Sequence, residues 1–331
     1  MAYFFGRDLR KQLGVPVGLI ESAWGGSPAE AWTDRATLEG NPTLQVVLDR
    51  HTDALKAYDP EKEKVNREKA IAQYKQAVAK AKVNGKPRPR GPRLPKDPHT
   101  SSKSPCSLFN AMIAPLQPYA LCGAIWYQGE SNADRAKEYQ TLFPAMIGGW
   151  RKTWGLGEFP FLFVQISPCQ GQLATPEIRE AQLISWQKTK NTAMVVITDH
   201  GNPTNIHSTA KEPVGQRLAL AARALAYGEK IEYSGPVFKK MKVSDNKAIL
   251  SFTHLGSGLV AKDGQLKGFT IAGADKKFVP AEAEIVGDTV VAHSAQVKEP
   301  MAVRYGWANV PDVNLFNTEG LPTTPFRTDV E

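Results

Sequence analysis

With 331 residues and 42% hydrophobic content, the chain is long enough for two domains, or for one large domain carrying an insertion. No run of about 18 apolar residues occurs, which excludes a membrane-spanning helix, and Cys106, Cys122 and Cys169 have neither disulfide nor metal spacing. The net charge of +8 is concentrated in residues 56–96, which hold thirteen Lys or Arg against four Asp or Glu; it describes one solvated segment and argues against a nucleic-acid partner for the protein as a whole.

Taken in chain order, the opening MAYFFGRDLRKQLG shows no basic-then-apolar leader. Residues 3–13 read as an amphipathic helix closed by Gly14. VPVGLIESAWGG (15–26) reads as a strand running into a glycine turn. TLQVVLDRHTDALKAY and KAIAQYKQAVAKAKV predict two helices, the second with a narrow apolar stripe of Ile71, Tyr74, Val78 and Ala81. The proline-rich return at 86–98 fits neither helix nor central strand. A helical pattern resumes at Ser107–Leu116. Apolar strands follow at 121–127, 160–166 and 193–198, separated by helices at 135–151 and 176–190, and a further helix spans 211–227. Continuous apolar strands alternating with helices predict a parallel sheet covered on both faces. After Gly228 the texture turns β-rich, predicting an antiparallel sandwich or lobe. The predicted organisation is an α/β domain formed by 1–44 and 105–228, a basic helical insertion at 45–104, and a β-sandwich-like lobe at 229–331.

In such sheets ligands bind beyond the carboxyl ends of the strands, and those ends carry polar groups here. Gly25 and Gly26 follow one strand and expose backbone N–H groups. Gln128 offers an amide at the end of another, in GAIWYQGESNA. Together they suit an oxyanion hole. His207 lies in a loop ahead of a helix, where an imidazole serves as general base. Taken singly, each feature has a plain structural reading: a turn, a tied loop, an incidental histidine.

VPVGLIESAWGGSPAEAW, FNAMIAPL, GAIWYQGESNA, NIHSTAKEPVGQRLAL and VRYGWANVPDVNLFNTEGLPTTPFRTD together resemble the sialate O-acetylesterase family of SGNH (GDSL-type) hydrolases, in order and over nearly the whole chain. The resemblance implies a three-layer α/β/α domain with a β-rich companion lobe, and serine hydrolysis of acetyl esters on sugars. An acetylated carbohydrate would be the partner, with no cofactor or metal, and the location would be extracellular or periplasmic. It assigns Gly25 or Gly26 and Gln128 to the oxyanion hole and His207 to the catalytic base. Trp24 and Trp126 are open between stacking on a sugar and packing in the core, as are Trp32 and Tyr127.

Two departures accompany it. The family's nucleophile lies in a Gly-Gln-Ser-Asn-Met-type motif upstream of the helix that begins here at Tyr3, and this chain has no such motif. The expectation is therefore a truncated chain, lacking the first parallel strand and the nucleophile, with little activity of its own; Ser22, Ser27 and Ser131 do not match the nucleophile's position. The position three residues before the histidine, often Asp in SGNH enzymes, is Thr204, and a frequent Asp-Ile-His reads Asn205-Ile206-His207. Asp199 is then the nearest carboxylate in sequence to orient His207, while Glu130 and Asn205 would support the site. The alternative function is a non-catalytic protein that keeps the cleft for a glycan or a partner chain.

Overall fold

A computed structural model describes residues 1–92, 94, 97–171 and 175–329. Arg93, Pro95 and Lys96 of the proline-rich return lie outside the described residues. The chain divides into two compact units, one of Met1–Ala29 with Leu116–Glu331 and the other of Glu30–Pro115.

The larger unit begins with helix α1 (Ala2–Leu13), which ends at Gly14 in the left-handed conformation, as its glycine signal requires. Its parallel sheet follows the second unit in sequence. Strands β1 (Ala124–Trp126), β2 (Phe161–Val164) and β3 (Thr192–Val195) pair in the order β1-β2-β3. Alternation along β2 sends its side chains to opposite faces. Leu162 and Val164 join Ala193, Val195 and Leu9 in a core with Val214, Leu218 and Ala222, so α1 and the last helix of this layer cover one face. Phe161 and Phe163 pack against Phe143 on the other. Each such ring contributes roughly 1.5–3 kcal/mol through burial. The result is the expected helix–sheet–helix layering.

Residues 15–24 add no strand to this sheet, contrary to the pattern read from VPVGLIESAW. A strand exists only with a ladder partner, and among the described residues β1 pairs with β2 alone. Val15, Leu19, Ile20 and Trp24 are consequently exposed.

The second unit holds α2 (Arg35–Glu39), α3 (Gln45–Ala57) and α4 (Pro60–Val83). Helix α4 starts well ahead of its apolar stripe, because Asp59 caps Glu61 and Lys62 N–H and Pro60 sits in the first turn. None of its residues is fully buried. The return segment meets the stripe at Tyr74: Arg88 Nε donates to Tyr74 Oη at 3.0 Å, and Gly91 lies against the same ring.

In the larger unit, α5 (Ala136–Trp154), α6 (Thr175–Lys188) and α7 (Lys211–Leu225) complete the layers around the sheet. Antiparallel strands follow: β4 (Val237–Ser244), β5 (Lys247–Thr253), β6 (Leu259–Ala261), β7 (Phe269–Ala272), β8 (Val279–Pro280), β9 (Glu282–Val286), β10 (Thr289–His293), β11 (Ala302–Tyr305), β12 (Leu315–Asn317) and β13 (Phe326–Arg327). They form sheets in the orders β4-β5-β10-β9 and β13-β11-β7-β8, with a β12-β6 pair. Leu250 and Val290 from one sheet and Ile271, Val303 and Tyr305 from the other share a single core, which makes this region a sandwich. The GLPTTPFRTD ending is structural. Thr323 and Thr324 N–H donate to Leu315 and Pro236 carbonyls, and Arg327 forks onto Glu180 of α6 at 2.7 and 2.9 Å.

Candidate active site

The polar residues after β1 are gathered by two buried side-chain amides. Gln182 of α6 is fully buried; its Nε2 donates to the Gln128 and Val164 carbonyls, and its Oε1 accepts from Ile166 N–H. One amide thus satisfies backbone groups where β1 and β2 end. Gly129 passes so close that an added Cβ would lie 2.6 Å from Ile166 and 3.0 Å from Gln182, so the glycine of Gln-Gly-Glu is a packing requirement. Asn132, also buried, accepts from Ala29 N–H at 2.9 Å and from Gln128 Nε2 at 2.7 Å.

Gln128 sits beside the glycine turn, with Nε2 also 3.2 Å from the Ser27 carbonyl and Oε1 accepting from Tyr139 Oη. The structure therefore brings Gly25, Gly26 and Gln128 to one place, the turn held in part by Gly26 at φ +69°. The Gln128 amide protons are engaged with Ser27 and Asn132, which pins the side chain in its orientation. The Ser27 hydroxyl donates to the Trp24 carbonyl and is buried.

His207 is exposed on a loop anchored at the ends of β2 and β3. Its backbone N–H is capped by Asn205 Oδ1 at 2.9 Å, an Asx turn that gives Asn205 a direct positioning role. The Ser167 hydroxyl donates to Ile206 O at 3.4 Å and Ser208 Oγ to His200 O at 2.8 Å. Glu130 is the carboxylate in electrostatic reach of this loop. Burial raises its carboxyl above the ordinary range, while His207 and Lys211 act in the opposite direction. Lys211 lies over the Tyr127 ring at 4.7 Å; burial lowers its ammonium and Glu130 opposes that. Burial also pushes the Tyr127 phenol up to about 12.

Asp199 has different partners from the one expected. Arg217 of α7 grips both its oxygens at 2.7 and 2.6 Å, and His200 Nε2 lies 3.4 Å away. His207 is not among its hydrogen-bond or ion-pair partners. Helix α7 thus takes the Asp199 carboxylate for its own anchoring, while Glu130 feels the charge of His207. Trp126, one of the candidate sugar-stacking residues, is corrected to the core: it is 8% exposed and packed against Phe143, Trp150 and Phe161, which leaves no ring face for a ligand. Trp24, at 52% exposure beside the glycine turn, retains one.

The sandwich contributes a loop that sequence reasoning did not place. Arg179, fully buried in α6, donates to the carbonyls of Ile166, Ala308 and Asn309. Burial pushes its guanidinium down to about 10. Arg179, Gln182 and Ser185 recur every three residues on α6, and all three are fully buried. That polar stripe, buried rather than solvated, was the available signal.

A parallel sheet layered by helices, with imidazole, carboxylate and amides beyond the strand ends, is the SGNH-like α/β class of hydrolase fold. A family model described as carbohydrate esterase, sialic acid-specific acetylesterase matches residues 102–224. Sialate O-acetylesterase from Rattus norvegicus is 32% identical over 362 residues, spanning 98% of this chain and 62% of the relative; that from Homo sapiens is 30% identical, spanning 98% and 60%. A crystal structure described as a novel carbohydrate acetylesterase from Xanthomonas citri superposes with a TM-score of 0.78 at 39% identity, covering 99% of this chain and 65% of that one. The chain is similar to sialate O-acetylesterases over nearly its whole length, and it spans about three-fifths of the length of the curated relatives named here.

Proposed function

We propose that this chain carries the site of a carbohydrate O-acetylesterase, which removes acetyl groups from sugar hydroxyls. The observation that supports the reading best is the convergence of the His207 loop, the Glu130 carboxyl and the Gln128–glycine-turn donors beyond β1 and β2. In this scheme His207 takes the proton from a serine hydroxyl as that oxygen attacks the acetyl carbonyl. Glu130 orients the ring and stabilises the imidazolium. The Gly25 and Gly26 N–H groups, with the Gln128 amide turning from its resting acceptors, receive the oxyanion. His207 then returns the proton to the departing sugar oxygen, and water releases acetate by the reverse sequence.

The nucleophile in this proposal comes from a strand–turn segment additional to the 331 residues, entering beside the edge of β1 that has no strand partner among the described residues. Ser27, Ser22 and Ser131 are not assigned that role: Ser27 is buried with its hydroxyl committed to Trp24, and the other two lack the family's motif. The test is acetate release from an O-acetylated sugar by this chain alone and by the same chain extended with a strand–turn segment bearing a Ser-Asn pair. Activity confined to the extended form is expected. Equal strong activity in both would refute the supplied nucleophile, and inactivity in both would replace the enzyme reading with a glycan-binding one.

A further inference from the structure

A second concave site lies at the other end of the parallel sheet. A pocket of about 440 Å³ opens between the last turn of α6 and strands β4 and β5 of the sandwich, lined by Trp186, Gln187, Tyr233, Phe238, Thr253 and His254. Trp186 Nε1 donates to the carbonyl of Thr192, the first residue of β3, which places the pocket at the amino ends of the strands, whereas Gln128, Glu130 and Ser167 stand beyond their carboxyl ends. Its volume falls within the ~300–1,000 Å³ usual for small-molecule sites.

The pocket is organised around an oriented imidazole. His254 Nδ1 is 2.8 Å from Glu232 Oε1, which also accepts from Tyr233 and Ser234 N–H at 3.0 and 3.1 Å. A carboxylate oxygen in that position only accepts, so Nδ1 carries the proton and Nε2 is left with no hydrogen-bond partner among the described residues. The ring sits between Trp186 at 5.7 Å and Tyr233 at 5.4 Å. His254 holds a left-handed backbone, φ +56°, a conformation uncommon outside glycine that persists where the surroundings enforce it. They do so here: fully buried Asn317 donates from Nδ2 to the carbonyls of Ser234 and His254. Phe238 is backed by Phe326, stacked at 4.5 Å.

We propose that this pocket binds a pyranose ring of a glycan, as a non-catalytic sugar site separate from the hydrolytic cluster. A pyranose presents an apolar C–H face and a rim of hydroxyls. The aromatic walls meet the first, and His254 Nε2, the Gln187 amide and the Thr253 hydroxyl meet the second. A phosphate-type ligand fits poorly, since Lys239 is the one cationic side chain among the lining residues and Glu232 stands behind His254. The described residues contain no group of three or more His, Cys, Asp or Glu suited to a metal ion. The sugar class agrees with the proposed acetylesterase reading, but the pocket's chemistry carries it independently.

The experiment is saturation-transfer NMR on the full chain, with the methyl pyranosides of glucose, galactose and N-acetylglucosamine as probes. Transfer to the ring C–H protons is expected. Gln187→Ala and His254→Ala should each weaken it by roughly five- to tenfold, the loss of one neutral hydrogen bond, and His207→Ala should leave it unchanged. Gln187 is exposed and its side chain makes no hydrogen bond among the described residues, so that variant tests binding without a folding defect. The proposal is overturned if none of the three probes receives transfer, if transfer survives both pocket variants, or if it vanishes in His207→Ala. Sugar binding by this chain together with no acetate release by the extended form would sink only the esterase reading; acetate release by the extended form with no sugar binding at this pocket would sink only this one.

Discussion

Arg217 holds both oxygens of Asp199, with Nη1–Oδ1 at 2.7 Å and Nη2–Oδ2 at 2.6 Å, while the same Nη1 donates to the Val196 carbonyl at 2.8 Å. This clamp fastens α7 to the segment just beyond β3. Burial is the largest influence on Asp199 and acts to raise its carboxyl; the hydrogen bonds and charge of Arg217, with His200, outweigh it and hold the group below the ordinary range. A depressed carboxyl contributes stability that is present above its unfolded value, ~3.9, and is lost as pH falls through the lower folded one. The side chains are only 19% and 12% exposed, so Asp199→Asn should cost on the order of 2–4 kcal/mol near neutral pH. Urea melts should show the gap from the parent chain narrowing as the pH drops below about 4.

Glu130 and Asp199 can be told apart kinetically. In the extended form proposed above, Glu130→Gln should lower acetate release by ~10² or more through loss of the oriented imidazole. Asp199→Asn should instead lower the melting temperature and leave the rate within about threefold, the carboxylate being bonded to Arg217 and not to His207. The Glu130 carboxyl is raised by burial, so its ionised form disappears as pH falls through a value above ~4.3, and the acid limb of the rate profile should steepen there. The reverse pattern in the two variants would return the orienting role to Asp199.

Removing Asn132 should damage the site by loosening it. Asn132→Ala takes the acceptor from the Ala29 N–H and from Gln128 Nε2, and unsatisfied buried donors cost about 1–3 kcal/mol. Asn132→Asp keeps an oxygen at that position and should fall closer to the parent chain in thermal melts.

The three thiols should separate in reactivity. Cys122 is exposed, Cys106 and Cys169 are buried, and burial pushes the Cys106 thiol up to about 11. Iodoacetamide at mildly alkaline pH should label Cys122 first and reach Cys106 only on unfolding; mass spectrometry of timed digests reads the order.

Exposed Val15, Leu19, Ile20 and Trp24, together with the pairing of β1 on one side only among the described residues, leave apolar surface and a free strand edge. Such edges template association. Light scattering should rise with concentration, and Leu19→Lys combined with Ile20→Lys should suppress it. A monodisperse monomer with unchanged scattering in the variant would refute this.

The strands at β1, β2 and β3 and the helices around them were legible because unbroken apolar runs of four to seven residues fit a doubly covered sheet and little else. Gln128 and the glycine turn were paired in sequence through a strand at 15–24 that does not form; the Gln128 Nε2 contact with the Ser27 carbonyl is what brings them together. VPVGLIESAW was misread because apolar alternation reports which side chains seek burial and is silent on whether a partner strand is there to receive the hydrogen bonds. The early start of α4 was written in Asp59-Pro60, a cap signal that the apolar stripe downstream overshadowed.

By itself the sequence determined the layering, the β-rich lobe and the likeness to sialate O-acetylesterases, since these follow from local pattern and from motifs carried along the chain. Only the tertiary structure decided that Asp199 is claimed by Arg217, that Trp126 belongs to the core, and that Arg179 and Gln182 are buried. Each of those outcomes depends on which groups meet across long sequence separations. A side chain's charge, exposure and hydrogen-bond partners belong to that meeting, and no stretch of neighbouring residues contains it.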